Sequence, residues 1–355
     1  MVRYWLKHRE PGWRSALAIN ATGATATALV AAVVIWTKFA EGAWMVVVAV
    51  PLLVLTFRGI KRHYRRLRRR LEAAAAGVSA AAPFENRSLV VVEQLNGATR
   101  HAVRLAQRMA HSRPVQAVYV EGSSPVDPRG GWQKLVGSRI ALEPVSSPEG
   151  MVDAVRERVW ALPHGGADFV TVVIPEQFEQ PSLERALRRR TFRLKLRLLQ
   201  ESGVAICDVS TLDRFADEPL PERFAVRVLV SDARAASLRA AAYAAGLGFP
   251  DTHALYFAPT PQKEREAREA WDRRGCSLPL EIVSTPYRDI TDPVRAYAHE
   301  LIDADPGQAL LYVVPEIVVT GWRRLLHNFR ELHIKRSVLF ESPRIMLVSV
   351  PYHLR

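Results

Sequence analysis

The chain has 355 residues, room for two or three ordinary domains, with 48% hydrophobic residues and a formal net charge of +13. That charge is concentrated. Arg3, Lys7, Arg9 and Arg14 face a single acid, Glu10, in the first fourteen residues, Arg58 to Arg70 holds eight basic residues and no acid, and the rest of the chain is close to neutral. Basic groups set beside apolar segments, rather than across a folded face interleaved with base readers, exclude a nucleic-acid partner. Two cysteines, Cys207 and Cys276, with no CxxC and no histidine at metal spacing, exclude a disulfide framework and read as reduced thiols in a cytosolic compartment.

In chain order, the first element is an uncharged stretch, Ala16 to Trp36, long enough as a helix to cross a hydrocarbon core of roughly 30 Å. Asn20, Thr22, Gly23, Thr25 and Thr27 make its first half only weakly apolar, the pattern of a face that packs on another helix through close approach and cross-helix hydrogen bonds. A short loop, Thr37–Glu41, leads to a second helix expected over 42–57, in which Pro51 predicts a kink. Trp36 and Trp44 are placed as interfacial anchors. A signal peptide is excluded by the arginine run that follows Phe57. Four basic residues before the hairpin and eight after it predict both termini in the cytoplasm, a multi-pass location in the cell membrane, and contact of Arg58, Lys61, Arg62, Arg65 and Arg66 with anionic lipid head groups. Two helices cannot enclose a solute pathway, so the polar flank of the first implies partner helices.

Residues 71–86 read as a linker, and beyond it the chain repeats. Thr171-Val172-Val173-Ile174-Pro175-Glu176 matches Leu311-Tyr312-Val313-Val314-Pro315-Glu316, Lys195 matches Lys335, and Glu201-Ser202 matches Glu341-Ser342. The domain limits are therefore 1–70 for the hairpin, 87–215 for the first α/β repeat and 222–355 for the second. Each repeat begins with a β-branched strand (Leu89–Val92; Val226–Val230) and an alanine-rich helix (Ala98–His111; Ala235–Leu247). A second strand follows (Val115–Val120; Thr252–Phe257), then a variable region and a third strand (near Ile140–Val145; Leu280–Val283). A helix (Gly150–Leu162; Ile290–Ile302) feeds a fourth strand that stops at Pro-Glu (Phe169–Ile174; Ala309–Val314). A basic helix (Leu183–Leu199; Trp322–Leu339) and a last strand (Val204–Val209; Ile345–Val350) complete the unit. Apolar strands alternating with helices predict an α/β class with tandem doubly wound parallel sheets, the two units packed as a pseudo-dimer.

Several motifs here resemble a known family. They are Pro11-Gly12-Trp13-Arg14-Ser15, Ile19-Asn20-Ala21-Thr22-Gly23-Ala24, Thr37-Lys38-Phe39, Glu41-Gly42-Ala43-Trp44 and Ile60-Lys61-Arg62-His63-Tyr64, followed by Leu325-Leu326-His327-Asn328 and Ser349-Val350-Pro351-Tyr352-His353-Leu354. Together they resemble the last two membrane helices and cytosolic tail of actinobacterial permeases of the amino acid–polyamine–organocation superfamily, in the branch of KimA-type potassium importers. The resemblance implies a universal-stress-protein-like fold for each repeat. It also implies a regulatory part of an amino acid or cation permease, not transport-competent alone, completed by the remaining permease helices or a homodimer partner. The ligand it implies is a cyclic dinucleotide. A membrane-anchored, universal-stress-like nucleotide sensor is the alternative.

Universal-stress folds that bind ATP use a glycine-rich loop after the fourth strand. Pro175-Glu176-Gln177 and Pro315-Glu316-Ile317 stand there instead, and proline offers no N–H while glutamate repels phosphate. Ligand binding falls to the turns after each first strand, through Asn96, Gly97, Ser231 and Asp232, with helix N-capping by Asn96 or Asp232 as the plain alternative. Glu176 and Glu316 read as helix-start acids facing a dipole. His327 and His333 lie on different helix faces, so no metal is expected. No nucleophile–base order or P-loop appears, and neither an enzyme nor a cofactor is expected.

Overall fold

The computed structural model describes residues 13–39, 42, 44–75, 85–110, 113–122, 127–137, 140–162, 168–180, 190–286, 289–318, 338 and 340–353. Two compact units result, Met1–Arg69 and Arg70–Arg355.

The first unit holds helix α1, Trp13–Lys38, and most of helix α2, Trp44–Ala74, both long and apolar enough to cross a membrane. Their apolar side chains, among them Leu29, Val33, Leu52 and Phe57, are exposed, a surface that water alone would not tolerate at this size. The hydroxyls of Thr22, Thr25 and Thr27 turn back onto the carbonyls of Ala18, Ala21 and Gly23 at 3.0, 2.9 and 2.8 Å. Within this unit they satisfy their own helix rather than reach across to another. The second helix does not end at 57. Arginine, lysine, leucine and alanine are strong helix formers, so the helix continues through the basic run to Ala74 with Pro51 inside it. The first residues of the expected linker are therefore helical, and 76–84 lie outside the described residues.

The second unit is built on one ten-stranded sheet in the order β3-β2-β1-β4-β5-β10-β9-β6-β7-β8. In chain order the first half comprises β1 (Asn86–Val92), α3 (Gly97–Met109), β2 (Gln116–Val120), α4 (Arg129–Val136), β3 (Leu142–Val145), α5 (Met151–Trp160), β4 (Phe169–Phe178), α6 (Arg190–Leu198) and β5 (Val204–Leu212). The second half comprises β6 (Arg223–Leu229), α7 (Ala235–Gly246), β7 (Asp251–Ala258), α8 (Pro261–Arg273), β8 (Leu280–Ser284), α9 (Thr291–Ala304), β9 (Gln308–Val318) and β10 (Ile345–His353). Each half is parallel within itself.

The expected pair of separate sheets is instead one continuous sheet, because β5 and β10 hydrogen-bond antiparallel, with Cys207 opposite Val348. The ladders set positions of the two halves in correspondence: Ile174 pairs with Asp208, and Val314 pairs with Ser349. Alternation then sorts the side chains by face. Leu89, Val172, Ile174 and Ile206 pack with Val155 and Val159 of α5 and Leu194 and Leu198 of α6. Leu310, Tyr312 and Leu347 pack on the same face with Val294 and Ala298 of α9. The opposite face, including Val90, Val173, Cys207 and Val348, is covered by α3 and α7, whose alanines at 98, 102, 240 and 244 are fully buried. Each buried Val, Leu or Ile contributes about 1.5–3 kcal/mol.

The fourth strand of each half runs on past Pro-Glu, to Phe178 and to Val318, so Glu176 and Glu316 are strand residues and not helix starts. The basic helix of the first half spans Arg190–Leu198, with 181–189 outside the described residues. Apart from Val338, the helix expected over 322–339 lies outside them as well, as do His327 and His333. The variable regions contain helices α4 and α8, which carry a shared anchor. Trp132 Nε1 donates to Ile140 O at 2.7 Å and Trp271 Nε1 to Leu278 O at 2.9 Å, each tryptophan buried and tying down the loop that enters the third strand. Replacing either by phenylalanine keeps an aromatic ring but shrinks it and orphans a carbonyl. Trp132→Phe and Trp271→Phe should each cost about 1–3 kcal/mol, by closely similar amounts, in chemical denaturation followed by circular dichroism.

Candidate functional site

Because the halves meet antiparallel, the carboxyl ends of β1, β2 and β4 lie at one edge of the sheet and those of β6, β7 and β9 at the other. The turn holding Asn96 and Gly97 and the turn holding Ser231 and Asp232 are therefore at opposite edges, and the structure does not bring them together.

In the first turn Asn96 is the N-cap of α3. Its extended backbone lets Oδ1 accept from Thr99 N at 3.0 Å, which satisfies an orphan helix donor. Gly97 is set by packing: a Cβ there would lie 2.1 Å from the carbonyl oxygen of Ala216. That alanine belongs to the connection 213–222 between the halves, which lies along α3. Arg100 Nη2 reaches Asp217 Oδ1 at 3.4 Å, His101 Nε2 reaches Glu218 O at 2.7 Å, and Leu220 is buried. Behind the turn, Gln177 Nε2 donates to Asp213 Oδ1 at 2.8 Å.

In the second turn Asp232 is not the N-cap, a position taken by Arg234 without a side-chain cap. Asp232 Oδ1 accepts from Arg234 N at 3.0 Å, and Ser231 Oγ donates to Asp232 Oδ2 at 3.5 Å. Arg234 Nε pairs with Glu72 Oε1 at 3.2 Å, beside buried Leu71 and Ala75.

Among the described residues the densest buried charge is elsewhere, on the face covered by α5 and α6. Lys195 Nζ lies 2.6 Å from Glu176 Oε2 and 2.6 Å from Asp208 Oδ1, and Thr191 Oγ1 donates to Glu176 Oε1. All four side chains are buried or nearly so. Burial alone would lower the lysine's pKa. The two carboxylates, Asp208 foremost, outweigh it and hold the ammonium above the usual lysine range. Sequence reading assigned Glu176 no partner. The missed signal was the spacing of 19 residues from Glu176 to Lys195, repeated from Glu316 to Lys335. In the second half Ser349 stands where Asp208 stands in the first, and Lys335 lies outside the described residues.

The second half has its own polar relay. Arg227 on β6 donates from Nε to Tyr297 Oη at 2.7 Å and pairs with Asp251 at 2.8 Å, and Tyr297 Oη donates to Glu281 Oε2 at 2.7 Å. Glu281 and Tyr297 also line a groove of about 910 Å³ between β8 and α9. Among the described residues no cluster of three or more His, Cys, Asp or Glu is arranged to hold a metal, and the basic residues Arg58, Lys61, Arg62, Arg65 and Arg66 of α2 lie in the other unit.

One family model, the KimA potassium transporter C-terminal domain, matches residues 85–211 and again 222–352. The chain belongs to that family. The two matches fall on the two halves of the sheet, so the family unit is one repeat. The chain is also 30% identical over 99 residues to the potassium transporter KimA of Bacillus subtilis (strain 168), a match covering 28% of this chain and 15% of that protein's length. A solved structure, the cytoplasmic domain of a prokaryotic cation chloride cotransporter, aligns with a TM-score of 0.40 and 9% identity over 75% of this chain and 95% of its own.

The Lys195 centre gives this family member a sharp stability test. Lys195→Met leaves two carboxylates buried without their cation and should cost about 3–5 kcal/mol, read by chemical denaturation. Adding Glu176→Gln should recover part of the loss. A lysine pKa raised by folding contributes stability that is complete below the unfolded value of about 10.5 and is lost only as pH climbs through the folded value. Alkaline unfolding of the wild type should therefore begin above that pH, and Lys195→Met should abolish this alkaline component.

Proposed function

We propose that this chain is the C-terminal membrane and regulatory part of a potassium transporter, with α1 and α2 packing on a transport core while the paired α/β repeats act below it. The observation that carries the reading is the family match over both repeats, in a chain whose preceding helices are long and apolar enough to span a bilayer. Exposed apolar side chains on both helices support a surround of lipid and further helices. Those helices are the remaining permease helices of an amino acid–polyamine–organocation-type core, or they come from a homodimer partner.

The protein is multi-pass in the cytoplasmic membrane with both termini on the cytoplasmic side, a reading supported by the basic residues that flank the hairpin. Arg58, Lys61, Arg62, Arg65 and Arg66 then meet anionic head groups, at about 1 kcal/mol each. Each repeat is universal-stress-protein-like, which the half-sheet order β3-β2-β1-β4-β5 and helices on both faces support. The role is regulation rather than catalysis, and a cyclic dinucleotide is the ligand.

The test is a graft. Exchanged for the matching C-terminal segment of the Bacillus subtilis KimA transporter, this chain should restore growth of potassium-uptake-deficient cells at low potassium, while the chain alone should not. A chimera that reaches the membrane yet gives no uptake would overturn the reading. Replacing the five basic residues by glutamine should scramble the orientation of the hairpin in protease-protection mapping of the α/β unit. Calorimetry of the full chain in nanodiscs should register heat with a cyclic dinucleotide, and its absence would remove that ligand while leaving the transporter role standing.

A further inference from the structure

The connection 213–222 is held to α3 by a histidine with only one ring nitrogen satisfied. His101 is 1% exposed. Its Nε2 faces the carbonyl oxygen of Glu218 at 2.7 Å, and a carbonyl can only accept, so Nε2 carries the proton. Nδ1 is then a bare lone pair, buried and without a hydrogen-bond partner among the described residues. Protonation would place an N–H donor and a full charge in that enclosed space, a change that burial strongly opposes.

The charged groups around the ring do not relieve this. Arg100 and Arg104 of its own helix oppose a further positive charge, and Glu218, through its carbonyl at Nε2 and more weakly through its carboxylate, favours it less than burial opposes it. Asp217, at 98% side-chain exposure, is engaged by Arg100. From α4, Arg129 is paired with Asp127. The acids of the strands beneath, Glu176 and Asp208, lie on the opposite face of the sheet with Lys195. On the α3 face β5 offers Cys207, whose thiol burial pushes well up, so it stays neutral. Burial accordingly holds His101 below the ordinary imidazole range.

We propose that His101 is an acid-sensitive latch: neutral, it clamps the connection 213–222 onto α3, and protonated, it swings to water and releases that connection, uncovering the turn at Asn96 and Gly97. The sign follows from the linkage. A histidine with a depressed folded pKa leaves the closed form fully stable above the unfolded value of about 6.5 and weakens it as pH falls below that. The same segment is seated two residues earlier by Gly97, whose missing Cβ admits the Ala216 carbonyl. Two contacts on one helix therefore control one segment.

Hydrogen exchange of the full chain in nanodiscs tests the latch, with rates corrected for the intrinsic pH dependence of exchange. Between pH 7.5 and pH 5.0, protection of amides in 213–222 should fall by about tenfold or more, while β9 and β10 keep theirs. His101→Gln, which retains a donor to the Glu218 carbonyl but cannot be protonated, should keep the segment protected at both pH values. Gly97→Ala should expose it at pH 7.5 without acid. Should His101→Gln fold poorly, imidazole nitrogen shifts of labelled wild-type protein supply the readout, with His101 titrating below 6.5 together with the loss of protection. Unchanged wild-type protection at pH 5.0, an equal acid response in His101→Gln, or release that does not track the His101 titration would each overturn the proposal.

Discussion

The antiparallel ladder between β5 and β10 is the interaction on which the α/β unit depends. Two five-stranded parallel sheets would each present two raw edges, four in all, with rows of unpaired backbone donors and acceptors. Joining β5 to β10 leaves β3 and β8 at the margins and brings the apolar clusters of the two halves onto one face of a single sheet. The helix of one half can then reach strands of the other. Tyr243 of α7 meets Thr171 of β4 at 2.7 Å, Thr171 in turn donates to Asn86 at 2.6 Å, and Tyr243 stacks edge-on against Phe169.

The same junction lets equivalent positions diverge. Asp208 on β5 and Ser349 on β10 are related by the duplication, yet one completes a buried ion triad and the other is a buried hydroxyl. The turn after β1 is covered by the connection between the halves, whereas the turn after β6 holds Glu72 through Arg234. A duplicated sequence has produced two unlike carboxyl-end turns at opposite edges. A ligand able to touch both would have to span the sheet.

Much of this was legible before any coordinates. β-branched runs such as Leu89–Val92 and Phe169–Ile174 marked buried strands, and the alanine-rich stretches marked helices that pack close to a sheet. Pro-Glu was misread because proline lacks a ladder donor and glutamate looks like a helix-start acid. In the fold the strand stays paired with β5 as far as Phe178, and Glu176 finds Lys195. Helices α4 and α8 escaped notice because one is short with two glycines and the other is so charged that its apolar stripe shrinks to Trp271. His101 gave no signal, since a histidine in an amphipathic helix looks the same whether its ring meets water or a carbonyl.

The sequence by itself determined the two apolar helices, the basic run after them, the internal duplication and the α/β class. These depend on the order and chemistry of near neighbours: span length, charge excess, strand period and a repeated motif. Only the tertiary structure decided that the repeats share one sheet, that their turns face opposite ways, that Glu176, Lys195 and Asp208 meet, and that the connection 213–222 lies on His101. Each of those depends on contacts between residues far apart in the chain, whose partners are set by strand register and by which face a side chain occupies, and neither is written in local composition.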